Sequence, residues 1–130
     1  MTKQEHIEYW KEQAEDSWQS APVLMSSKRF SMAAFCFHLC FKKLLKGLWV
    51  KFNDENYPPR IHNLISLHDS AKLNLDDEMK AEPASINAWN LEGRYPDYST
   101  KMYFAITQSF LESKIETPTK IKLFLQEILQ

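Results

Sequence analysis

A chain of 130 residues with 44% hydrophobic and 25% charged side chains holds enough apolar material for one core and too much for disorder. Sixteen basic residues against seventeen acidic ones leave a formal net charge of -1, so bulk charge does not draw the chain to nucleic acid or membrane, and any such surface must be local. The two glycines, Gly47 and Gly93, are too few for phosphate loops of the Rossmann or Walker kind, or for a turn-rich β fold.

The opening MTKQEHIEYWKEQ is polar and lacks the apolar stretch of a signal peptide. The longest apolar run, Phe30 to Phe41, is about half of a ~20-residue membrane span. One domain over residues 1–130, cytoplasmic and without membrane association, is the expectation. Cys36 and Cys40 lie four apart on one helical stretch and read as free thiols. No metal site, catalytic triad or cofactor motif is recognisable, so none is expected.

Residues 3–26 read as a first helix. Ile7, Trp10, Ala14, Trp18, Ala21 and Met25 step by three and four, with acidic residues between them. Thr2 is placed to cap it, and Pro22 is expected to kink it or to start a separate last turn. Ser26-Ser27-Lys28 is so short a link that the next helix must return antiparallel.

That next helix, Arg29 to Phe52, is the expected centre of the fold. At roughly 100° per residue, Phe30, Ala33, Ala34, Phe37, Phe41, Leu44, Leu45, Leu48 and Phe52 share one broad face. The other side carries Met32, Phe35, Cys36 and Leu39 first, then Lys42, Lys43 and Lys46. The first half is apolar nearly all round and should touch two partners. The second half should turn a basic edge to solvent, with His38 one turn earlier.

Asn53 to Pro59 is a loop by composition. Helices are expected at about 63–73 and 76–81, the latter able to resume over 84–89, before an irregular stretch at 90–100. The end of the chain is helical from about Thr107. Thr117-Pro118 resembles a helix start, so one bent helix or two remain open. The fold class is an all-α up-and-down bundle of about five helices.

Three features could carry chemistry. The first is the lysine edge, where clustered ammonium groups attract phosphate oxygens and whose bland reading is a solvated face. The second is Pro58-Pro59-Arg60-Ile61-His62-Asn63-Leu64, which puts a guanidinium and an imidazole at a helix entry, or merely caps that helix. The third is Arg94-Tyr95-Pro96-Asp97-Tyr98, able to hold an anion and stack, or to close an internal Arg–Asp pair.

With the opening Tyr9-Trp10 and Ala14, these features resemble the HEPN domain family over almost the whole chain. The resemblance implies a homodimer, association with nucleotide or RNA, and pairing with a separately encoded minimal nucleotidyltransferase in toxin–antitoxin systems. It carries Lys43, Lys46, Arg60, His62, Arg94 and Tyr95 over as phosphate- or nucleotide-binding residues. Active members look like metal-independent ribonucleases with an Arg-x(4–6)-His motif. Here His62 lies too close to Arg60, His68 too far, and Arg29 and His38 too far apart, so no catalytic residue is carried over. The alternatives are a ribonuclease using Arg60 with His62 or His68, and a purely structural dimerisation domain. The surplus apolar patch Met32, Phe35, Cys36 and Leu39 calls for a further partner, most simply a second copy.

Overall fold

The computed structural model describes residues 2–60, 69–70 and 116–129. Its regular elements are all α-helical: α1 spans Lys3–Ser26, α2 Phe30–Phe52 and α3 Glu116–Leu129. The helices expected within 63–89, the irregular stretch at 90–100, and the site residues His62, Arg94 and Tyr95 lie outside the described residues, as does the rest of the expected five-helix count.

Helix α1 begins where the sequence places it. The Thr2 hydroxyl accepts from the Glu5 backbone N–H at 3.1 Å, satisfying one of the donors a helix start leaves open. The helix then runs uninterrupted through Pro22 to Ser26, so no separate last turn forms. Pro22 is exposed, and a missing N–H near a helix end removes one bond that the remaining turn outlasts.

The link to α2 is a tight reversal. Lys28 takes φ 62°, a left-handed conformation. The N–H groups of Ser27, Lys28 and Arg29 donate back to the carbonyls of Val23, Met25 and Leu24, closing the end of α1. The chain therefore doubles back, and α2 returns along α1.

Small side chains seat the two helices. Ala14, Ser17 and Ala21 of α1, and Ala33, Ala34, Cys40 and Gly47 of α2, are buried. Phe37, Phe41, Leu44, Leu45 and Leu48 fill the core, each worth about 2 kcal/mol of burial. Trp10, Trp18 and Met25 pack against this core from its edge, and the Trp18 ring meets Phe37 edge-on at 5.0 Å. Phe52 departs from the expected core face and is exposed, because it is the last residue of α2. At Gly47 a Cβ would come within 3.1 Å of a Leu129 methyl and 3.2 Å of the Trp10 Cβ, so α1 and α3 both close on α2 there.

Helix α3 lies against α2 and α1. Leu125 and Leu129 are buried, and the Lys51 ammonium donates to the Ile128 carbonyl. On α1 the anchor is Glu15, which pairs with Lys122 at 2.9 Å and accepts from Gln126 at 3.3 Å. The buried Lys122 ammonium also sits 4.6 Å over the Trp18 ring. Trp49 donates to the Ser70 hydroxyl at 2.8 Å, tying residues 69–70 to α2.

Two outcomes are expected. Gly47→Val should lower stability by about 1–3 kcal/mol in thermal or urea unfolding, since the added methyls have no room between Trp10 and Leu129. Gln19, then Lys122, hold the Glu15 carboxyl below its ordinary value of 4.5. A depressed carboxyl contributes stability above its unfolded value and loses it as pH falls through the folded one. The Tm gap between the native chain and Glu15→Gln should therefore be open near neutral pH and close below about pH 4.

Candidate functional site

One stripe of α2 organises the site. Met32, Cys36, Leu39, Lys43 and Lys46 succeed one another by four and three, so they run along a single edge of the helix. The edge is apolar over its first half and cationic over its second.

The apolar half borders a groove of about 590 Å³ between α1 and α2. From α2 it is lined by Met32, Phe35, Cys36 and Leu39. From α1 it receives Val23 and Leu24, with Asp16, Gln19 and Ser20 as the polar margin. The patch that the sequence assigns to a second partner is therefore real, and its concavity comes from the facing side of α1.

The cationic half is not a freely solvated face. The Lys43 ammonium donates to the buried Ser17 hydroxyl at 2.8 Å and is half-buried. Lys46 is also half-buried, its ammonium 5.3 Å over the Trp10 ring. Both lysines lean onto the same side of α1, whose Trp10 and Ser17 lie two turns apart. Antiparallel return of α2 makes this possible, because the aliphatic stems cover α1 while the ammonium heads stay at the rim.

Arg60 is exposed at the end of the described loop and lies near enough for its guanidinium to act on Lys46. Burial first, and then Arg60, pull Lys46 below the ordinary lysine value. Among the described residues no carboxylate pairs with Lys46 or Arg60. The two like charges disfavour each other, and an anion between them would relieve that repulsion.

His38 does not belong to this edge. It is fully buried and stacks near-parallel to Phe35 at 6.4 Å between ring centroids. About a third of a turn separates it from the lysine stripe, which places it on the packed side of α2. Ser17 is the residue that sequence reading misses. Its signal is its place between Ala14 and Ala21 on the packed face of α1, where a small polar side chain needs a partner.

The loop that brings Arg60 to Lys46 is itself tied down. The Lys3 ammonium donates to the carbonyls of Val50 and Asn53, both at 2.8 Å, and of Glu55 at 3.3 Å. His6 meets the Tyr57 ring edge-on at 5.2 Å. The first two turns of α1 thus hold the exit from α2. No group of three His, Cys, Asp or Glu among the described residues is arranged to hold a metal ion. None of the described helices is long and apolar enough to cross a membrane.

The sequence profile of the HEPN domain matches residues 7–128, nearly the full length and both halves of this site. The chain belongs to the HEPN domain family. Its fold is similar to the crystal structure of TT1696 from Thermus thermophilus, with a TM-score of 0.78 over 93% of this chain and 96% of that one. At 18% identity that likeness speaks for the fold alone. No functionally curated protein matches the chain. Within this HEPN domain, Lys43 and Lys46 lie three residues apart on α2 and both lean on α1, and Arg60 acts electrostatically on Lys46, while the other three proposed binding residues lie outside the described residues.

The two thiols are expected to differ in reactivity. Burial pushes Cys40 up to about 12. Burial also pushes Cys36 up, with Lys43 opposing and Asp16 adding to the rise. At about pH 8 a thiol-exchange reagent should label the half-buried Cys36 first and slowly, and Cys40 only on unfolding.

Proposed function

We propose that this HEPN protein is a binding module that engages the phosphates of a nucleotide or RNA through Lys43, Lys46 and Arg60. The observation that carries this reading is the Lys46–Arg60 approach: two cations near one another, one of them partly desolvated by Trp10 and the protein, with no described carboxylate between them. A phosphate placed there offers several acceptor oxygens to both groups and relieves their mutual repulsion. Lys43, held on Ser17, keeps further N–H donors for the same ligand. His62, Arg94 and Tyr95 extend the reading along the chain as further phosphate or base contacts.

Family membership supports two protein partners in the same reading, a second copy of the chain and a separately encoded minimal nucleotidyltransferase, as in toxin–antitoxin pairs. The module then acts by presenting or sequestering a phosphate-bearing ligand rather than by cleaving it.

The test is binding of a labelled single-stranded RNA followed by anisotropy across a salt series. The native chain should bind with an affinity that falls as salt rises, by roughly 0.7 in log–log slope for each phosphate neutralised. Lys46→Glu/Arg60→Glu should weaken binding at least tenfold at low salt and flatten the slope by about 1.4. An unchanged slope in that variant would remove Lys46 and Arg60 from the site.

A further inference from the structure

We propose that the outer face of α3 is a self-association surface of its own, through which two copies of the chain pair antiparallel about a two-fold axis level with Leu123 and Phe124. The inference rests on the second-copy part of the reading above and gives that copy a surface apart from the α1–α2 groove. None of the phosphate-binding residues takes part.

Lys120, Leu123, Phe124 and Glu127 are all exposed. Their spacing along the helix brings all four within an arc of about 100°. Lys122, Leu125 and Leu129, which α3 packs inward, lie roughly half a turn round from them. Leu123 keeps 59% of its surface exposed and Phe124 37%, so a helix already packed on one side still offers two adjoining large apolar side chains on the other. The helix that carries them is held in place. Lys122 pairs with Glu15 of α1, and the Ile128 carbonyl accepts from Lys51 of α2.

The order of the four residues says what covers them. A cation, two apolar residues and an anion are spaced evenly about the midpoint between Leu123 and Phe124. Laid antiparallel against itself, the stripe sets Lys120 of each copy opposite Glu127 of the other. The two ion pairs stand about 10.5 Å apart, with Leu123 and Phe124 meeting their counterparts between them. A parallel pairing would set ammonium on ammonium and carboxylate on carboxylate, which is unfavourable at both ends. A two-fold contact asks one surface to complement itself, and this stripe does so in charge and in spacing. The face of one 14-residue helix is smaller than the roughly 800 Å² per partner of a stable dimer, so the contact is reversible and concentration-dependent.

Sedimentation equilibrium over a concentration series at low salt tests this. The native chain should self-associate, and more weakly as salt rises. Lys120→Glu and Glu127→Lys should each weaken pairing about tenfold, since symmetry makes each charge count twice. An equimolar mixture of these two variants should pair like the native chain, because every charge then meets its opposite; that recovery also rules out misfolding as the cause of the single losses. Leu123→Glu should leave a monomer. A native chain that stays monomeric throughout would overturn the proposal while phosphate binding stands. Association lost in Met32→Glu and kept in Leu123→Glu would give the second copy to the groove and overturn the α3 assignment. A mixture as weak as its separate variants would overturn the antiparallel pairing.

Discussion

The structure depends on how closely α1 and α2 approach. Alanines and Ser17 on one helix, and alanines, Cys40 and Gly47 on the other, are buried, and a Cβ at Gly47 would stand 3.2 Å from the Trp10 Cβ. Close-packed interiors tolerate few voids, so this small-residue seam fixes both the distance and the register of the pair. What happens at its margins follows. Where the flanking side chains are long, as at Lys43 and Lys46, they bridge the seam and lie on α1. Where the seam opens among Val23, Leu24, Met32 and Leu39, a groove remains.

The lysines gain their character from that bridging. A lysine free in solvent is a hydrated point charge with high rotamer entropy, and it holds ligands poorly. Ser17 and Trp10 remove much of that freedom in advance, so on the proposed reading an arriving anion would meet ammonium groups already placed. The cost appears at Lys46, where partial burial and the neighbouring guanidinium both disfavour the charged form. A bound phosphate would reverse that balance. Lys3, bonded to three carbonyls at the exit of α2, plays the matching part for the loop that carries Arg60.

Much of the fold is legible in the sequence because its signals are local. Thr2 marks the start of α1, steps of three and four mark its packed face, and the short link at residues 26–28 dictates the antiparallel return. The errors are equally physical. A separate last turn at Pro22 does not form, because the one missing N–H falls near the end of α1 and the helix runs on to Ser26. Phe52 shares the core stripe by angle yet lies at the end of its helix. His38 groups with the cations by type, although its angle on α2 sets it on the packed side. The Lys43–Ser17 contact joins residues 26 apart, and only the register between helices reveals it. The groove is visible in the sequence from one wall only, as an apolar surplus on α2.

The central claim is that Lys46 and Arg60 form an anion site with no described carboxylate between them. It is tested most directly by following the Lys46 side chain by NMR through a pH titration, free and with tripolyphosphate. Lys46 should titrate below an ordinary lysine, move up when the anion binds, and move up in Arg60→Gln without it. A Lys46 that titrates as an ordinary lysine and responds to neither change would contradict the account.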